Sequence, residues 1–313
     1  MTGFIRIGII AIAGATVLYS CSSGKTERHD TDTRKAAVTE LERNIKEVAD
    51  STDGLVGVAV ITADHDTVTV NNDSHYPLMS VFKLHQALAV CHALEEMHRS
   101  VDTILTIDTH KLNHNTWSPM LKSLPEGKCD ISVRELLRYT LQQSDNNASN
   151  IMFDRIVPVR STDSFIRNST GIEDFNLSYT EANMQENNNL SLQNWSTPSA
   201  CAELICKVVN DSLISTENQN FIIETLTGCQ TGRDRLYSPF VNMPEIKIAH
   251  KTGSGYRDGN GRLMAHNDIG YIYLPDGRGY AVAVLVTDFS GKEEEASAII
   301  SRISDIVFDY HKH

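Results

Sequence analysis

Positive charge is scarce in this chain: 28 Lys and Arg stand against 40 Asp and Glu among 313 residues, a formal net charge of -12. So acidic a balance repels phosphate backbones and anionic headgroups, which excludes a nucleic-acid partner. Long apolar runs are missing as well. Residues 7–18, behind Arg6, form a run too short to span a bilayer comfortably, and it has the form of an export signal. None of the 6 cysteines falls in a Cys-x-x-Cys pair, so the usual zinc pattern is absent. The 12 histidines are scattered, and His92 and His98 have no partners at ligand spacing. No metal and no cofactor is expected, and no internal repeat is visible.

What is present suits a folded body. Hydrophobic residues make up 41% and charged residues 22%, and the length allows one large domain or two interleaved lobes. The apolar run ends Leu18-Tyr19-Ser20-Cys21, which looks like a lipoprotein cleavage box. Residues 1–20 are then a signal and Cys21 the lipidated first residue, in the periplasm; ordinary signal cleavage, leaving a soluble protein, is the alternative. Residues 22–34 are polar without periodicity and suit a tether. Cys91, Cys129, Cys201, Cys206 and Cys229 remain, an odd number for which free thiols are the expected state.

From Lys35 the apolar spacing predicts a helix to about Ser51, then a β-hairpin over residues 55–62 and 67–70 turning at 63–66. Ser132 and Glu135 form a capping-box pattern opening a second helix, with Ile131 placed to staple onto Leu136. That helix must stop at Ser144-Asp145-Asn146-Asn147, residue types that prefer turns. Helical patterns follow over 148–157, 162–169, from Thr197-Pro198, and over 215–226. Between them residues 172–195 read as a long functional loop. Three strands, near 246–250, 263–274 and 280–288, precede a closing helix. Strands near both ends with helices between them imply an α/β (α+β) fold: an antiparallel sheet of about five strands flanked by helices. The lobe containing the sheet spans 35–76 and 230–313, and an all-helical lobe, 77–229, is inserted into it.

The chemistry gathers around Ser80-Val81-Phe82-Lys83, at the start of a segment striped by Leu84, Ala87, Leu88, Cys91 and Leu94. One helical turn brings the Lys83 amine beside the Ser80 hydroxyl, which is a poor nucleophile until a base takes its proton. A helix start also offers unpaired amides to a developing oxyanion. Alone this pattern is as well read as a capping serine and a solvated lysine. Downstream, however, stand Ser144-Asp145-Asn146 and Lys251-Thr252-Gly253. Each is bland by itself, a helix-ending turn and a strand entering a turn; the three in order are specific.

This order and spacing are those of serine β-lactamases and penicillin-binding proteins, and the chain resembles class A β-lactamases over residues 35–310. The resemblance implies that Ser80 attacks the lactam carbonyl, Lys83 relays protons, and Ser144 carries a proton to the departing nitrogen. It also implies that Asn146 holds the substrate's side-chain amide, while Lys251 and Thr252 take its carboxylate. Gly253 would let the strand approach closely, and backbone amides of Ser80 and Ser254 would form the oxyanion hole. In the long loop Glu181 occupies the register of the water-activating base, with Glu173 and Glu186 as alternatives outside that register. Trp117 matches an aromatic wall at the entrance, and Arg235 a second receiver of the carboxylate, with Arg262 competing.

The chain departs from the commonest class A loop. Where that pattern has an arginine two residues before the glutamate, an asparagine four after it and an aspartate at the far end, this chain has Tyr179, Gln185 and Asn194. The loop-fixing ion pair is missing. The departure resembles the A2 branch, whose members often favour cephalosporins, and Gln185 is placed to hold the water. The expected protein is a monomeric hydrolase of β-lactams. A D,D-peptidase and a non-hydrolytic β-lactam-binding lipoprotein are the alternatives, separated from it by the role of Glu181.

Overall fold

A computed structural model describes residues 23–312; the expected signal and Cys21 lie outside the described residues. The chain divides into two units, Met1–Ala37 and Val38–His313, and everything that follows α1 lies in the second. Helix α1 (Ser23–Asp50) begins well before Lys35, so residues 23–34, expected to lack regular structure, are helical. No proline and only Gly24 interrupt that stretch, so its polar composition leaves helix propensity adequate without an apolar stripe. Strands β1 (Leu55–Ile61) and β2 (Thr67–Val70) form the expected hairpin, closed by the Thr62 amide donating to the Asp66 carbonyl at 2.8 Å.

After β3 (Tyr76–Pro77) a 3-10 turn, Met79–Val81, runs straight into α2 (Phe82–Glu96). Helix α2 is buried on nearly every side from Phe82 to Cys91, Lys83, His85 and Gln86 included, so it is a central pillar rather than a striped surface helix. The middle of the chain is not wholly helical. Strands β4 (Ile104–Asp108) and β5 (Lys128–Ser132) pair as a ribbon beside α3 (Val133–Gln142), α4 (Asn146–Arg155) and α5 (Val159–Thr170). Alternation in Ile104-Leu105-Thr106-Ile107 carries the ribbon, with Thr106 donating to Asp130 across it at 2.6 Å. The capping box of α3 is formed: Ser132 Oγ accepts from the Glu135 amide, and the Glu135 carboxylate accepts from the Ser132 amide. Strand β6 (Phe175–Asn176) opens the long loop, which holds α6 (Glu181–Glu186), and β7 (Trp195–Ser196) closes it against β3 and β6.

Helices α7 (Pro198–Asn210) and α8 (Thr216–Thr227) begin at Thr197, whose hydroxyl caps as expected, and at Ser215, which also caps. Strands β8 (Lys247–Ser254), β9 (His266–Tyr273) and β10 (Gly279–Thr287) then complete one antiparallel sheet in the order β2-β1-β10-β9-β8, and α9 (Glu293–His311) closes the chain. The alternation of strand side chains divides the core. Val56, Val58 and Val60 with Val282, Val284 and Val286 face α1 and α9, while Ala59, Ala281, Ala283 and Leu285 face the helical side, where α7 lies on the sheet. Alanines on that face let α7 approach closely. The last strand, β8, leaves its edge to the helical lobe, and the site forms there.

Candidate active site

Ser80 sits in the 3-10 turn, with Val81 donating to the Leu78 carbonyl at 3.1 Å. The preceding Met79 has φ 46°, a conformation that costs a side-chain residue on the order of 1 kcal/mol. Surrounding contacts hold it. The Asn267 amide group donates to the Pro77 and Leu78 carbonyls at 2.8 and 3.3 Å, and the Leu78 amide donates to Asn194 O at 2.8 Å. Gly253 of β8 packs on the same turn: a Cβ there would lie 2.4 Å from Leu78 O. The close approach that requires glycine is therefore to the nucleophile's backbone.

Lys83, fully buried, points at four acceptors. Its Nζ lies 2.9 Å from Ser80 Oγ, 2.8 Å from Glu181 Oε1, 2.7 Å from Asn146 Oδ1 and 2.8 Å from the Ser144 carbonyl. The Ser80 hydroxyl also donates to Glu181 Oε1 at 3.3 Å, so a carboxylate lies within reach of its proton. Ser144, at φ 59°, turns its hydroxyl to Lys251, whose Nζ is 3.1 Å away. Its carbonyl faces Lys83, so Ser144 stands between two lysines. Burial lowers the Lys251 ammonium to about 7, partly offset by nearby anions. Asn146 opens α4 and donates its other amide hydrogen-bonding edge to Thr116 at 2.9 Å. Asp145 caps that helix and is buried beneath Ser118, both carboxylate oxygens 2.9 Å from its hydroxyl.

Trp117 is 61% exposed at the rim, as an aromatic wall requires. It also braces the Ser144 turn: its indole donates to Gln143 O at 2.8 Å and its carbonyl accepts from the Asn146 amide at 3.0 Å. Arg235 is the arginine at the site, and it is buried rather than free. Its Nη2 donates to Ser254 Oγ at 2.6 Å and its Nη1 to Asn267 O at 2.7 Å. Arg262 is tied elsewhere, to Asp288 and Asp53. Thr252 shares a 2.6 Å hydrogen bond with Thr231, a residue the sequence reading did not single out.

Glu181 is the first residue of α6, whose Thr180 and Asn183 form a capping box. The alternatives are elsewhere: Glu173 pairs with Arg167 at 2.9 Å, and Glu186 is exposed. Asn194 takes over at the loop's neck from the missing ion pair. Fully buried, it accepts from the Ser178 and Tyr179 amides at 2.8 and 3.0 Å and donates to Tyr179 O at 2.8 Å. An Arg167–Asp163 pair at 2.8 Å holds the loop's base, with Asp163 accepting from the Leu177 amide at 3.0 Å. Gln185 accepts from Asn113 at 2.7 Å and donates to Asn115 O at 2.8 Å. Its amide thus clamps the loop to the Trp117 segment instead of standing free for a water.

Ser80, Ser144, Asn146, Glu181, Thr252 and Ser254 border one cleft of about 800 Å³. Its chemistry is that of a serine hydrolase working through an acyl-enzyme, with two lysines and a carboxylate to move protons. The model of the Beta-lactamase enzyme family matches residues 40–311. A β-lactamase of Phocaeicola vulgatus is 46% identical over 268 residues, 86% of this chain and 84% of that one. The crystal structure of a class A β-lactamase from Bacteroides cellulosilyticus superposes with a TM-score of 0.82 at 32% identity, covering 88% of this chain and 98% of that one. The crystal structure of the TLA-3 extended-spectrum β-lactamase gives a TM-score of 0.84 at 33% identity, covering 88% and 100%. The chain belongs to this family: it is a class A serine β-lactamase, a hydrolase that opens the β-lactam amide and confers resistance. The readings as a D,D-peptidase or a non-hydrolytic binder gain no support from these relatives.

Proposed function

We propose that Ser80 attacks the lactam carbonyl, with Lys83 and Glu181 taking its proton and Ser144 passing one to the departing nitrogen. Glu181 then activates the water that releases the acyl group. The observation that carries this reading is the Lys83 Nζ, within 2.9 Å of Ser80 Oγ, Glu181 Oε1 and Asn146 Oδ1 together. Ser80 and Ser254 amides would receive the oxyanion, Lys251 and Thr252 the substrate carboxylate, Arg235 reaching it through Ser254, and Asn146 the side-chain amide. No metal or cofactor has a place in this scheme. Cephalosporins are the proposed preferred substrates, a choice supported by the altered loop and by the likeness to an extended-spectrum enzyme. The proposed setting is the periplasm, as a monomer tethered through a lipid on Cys21. Among the described residues no helix is long and apolar enough to cross a membrane.

The test is the intact mass of the enzyme mixed with a cephalosporin and followed over time, beside Glu181→Gln. Wild type returns to its free mass, whereas the variant retains the acyl group because deacylation slows by about 10²–10⁴-fold. Equal acyl lifetimes in the two proteins would remove Glu181 from this role.

A further inference from the structure

Behind the Lys251-Thr252 strand lies a cluster of ionisable groups that the catalytic scheme does not use. Cys229 follows α8, His250 immediately precedes Lys251 on β8, and Asp268 lies on β9, where the register sets it opposite Thr252. His250 and Asp268 are both fully buried, and His250 Nδ1 is 3.0 and 3.1 Å from the two Asp268 oxygens. Asp268 also accepts from the Leu236 amide at 3.2 Å. Cys229 Sγ lies 3.4 Å from Thr231 Oγ1, and that hydroxyl lies 2.6 Å from Thr252 Oγ1. Thr231 and Thr252 border the cleft, so a hydrogen-bonded path leads from the thiol to the carboxylate-binding position.

Burying such groups is costly unless they serve one another. Burial opposes charge on His250, but Asp268 and then Cys229 outweigh it and raise the imidazole to about 10. Burial likewise opposes the thiolate, yet His250, followed by Lys251, draws the Cys229 thiol down to about 7. Among the anions that favour a charged Lys251, Cys229 acts most strongly, ahead of Asp268 and Glu181, while Lys83 opposes. Arg235 and Tyr237 face the cluster from the segment after α8, and Asp234 and Glu293 of α9 act on it through Arg235.

We propose that Cys229, His250 and Asp268 form a positioning unit for β-lactam hydrolysis: the sulfur fixes the Thr231–Thr252 hydroxyl pair and supplies negative charge that sustains the Lys251 ammonium. The unit acts on the substrate only through those residues, and the inference rests on the assignment of the substrate carboxylate to Lys251 and Thr252. Removing the sulfur leaves Lys251 easier to deprotonate; a fixed carboxylate in its place makes it harder.

Two measurements on the mature enzyme test this. Thiolate absorbance, taken as wild type minus Cys229→Ser across pH, gives a step near neutrality that moves up by at least about one unit in His250→Asn. No such step below the ordinary thiol range overturns the proposal whatever the catalytic roles are. The alkaline limb of kcat/KM for a carboxylate-bearing cephalosporin moves down by about one pH unit in Cys229→Ala and up in Cys229→Asp. A rate lowered equally at every pH, with the limb unmoved, reduces the cluster to a structural one and overturns the proposal. A limb that persists in Lys251→Ala overturns it by a different route, because the carboxylate assignment itself has then failed.

Discussion

Gly253 is the residue on which the spacing of the site depends most directly. The atom nearest to a Cβ there is a carbonyl oxygen, Leu78 O, and Val81 and Met79 side chains lie 3.1 and 3.3 Å away. Backbone meets backbone, so no side-chain rotation can relieve the overlap, and Gly253→Ala must drive β8 away from the Ser80 turn. Overpacking of this kind costs about 1–3 kcal/mol. The variant should therefore lose stability in urea unfolding and also lose kcat/KM by a larger factor than KM changes, since the Ser80 and Ser254 amides, proposed to receive the oxyanion, separate. Unaltered kinetics would mean that the strand has room to yield. The motif made the glycine visible in the sequence, but not its neighbour. Local motifs reveal residues one turn or one strand step apart, as with Ser80 and Lys83. Contacts such as Thr231 to Thr252, or His250 to Asp268, depend on how distant segments meet, and no local spacing encodes them.

At the scale of elements, the loop from β6 to β7 carries Glu181, the proposed deacylating base, and is held by amides in place of the usual charges. Asn194 satisfies two backbone donors and one acceptor at the loop's neck and, through its own carbonyl, the Leu78 amide. Asn194→Ala would take these partners from the half-buried Ser178 and Tyr179 backbone groups, at up to about 1–3 kcal/mol for each that water does not reach. Hydrogen exchange across residues 177–186 should rise and acyl-enzyme lifetime lengthen, while the initial acylation burst persists because Ser80 and Lys83 are held by other contacts. Exchange confined to wild-type levels would show that Arg167 and Gln185 alone hold the loop. The helices around this loop were legible because capping residues announce them: Ser132 and Thr197 cap as expected. The two-residue strands β3, β6 and β7 were not, since two residues have no period. The absent ion pair was legible too; its replacement by Asn194 was not, because an amide's partners are set by the fold.

For the whole molecule, the two faces of the sheet share a sensitivity to acid. His85 lies on α2 in the helical core, its ring 5.4 Å from Phe175, and burial lowers it to about 4. His266 lies on the other side, where its Nε2 is 2.8 Å from Ser297 of α9, and burial, with the Arg235 charge, lowers it to about 3. Each ring also keeps a buried nitrogen without a partner. Both are neutral in the folded protein and become protonated in the unfolded chain below about pH 6.5. Unfolding then takes up protons, so the stability present above pH 6.5 is lost as pH falls toward the folded values. The slope approaches about 1.4 kcal/mol per pH unit for each of His85 and His266, and His311, which burial also lowers, adds to it on the same limb. His250 does not contribute on this limb: its raised pKa keeps it charged in both states below pH 6.5, and its effect appears only as pH rises toward about 10. The exposed, lowered carboxylates Asp53, Asp102, Asp234, Asp258 and Asp276 act below their ordinary range, near pH 4. Between about pH 6.5 and pH 4.5, then, the unfolding free energy measured in urea should fall with the histidine slope, and His85→Gln should reduce that slope by about 1.4 kcal/mol per pH unit. A wild-type curve flat across this interval would mean that both rings accept protons without leaving their cores. Because the loss acts through α2 on one face and α9 on the other, acid unfolding should be a single event for the sheet between them.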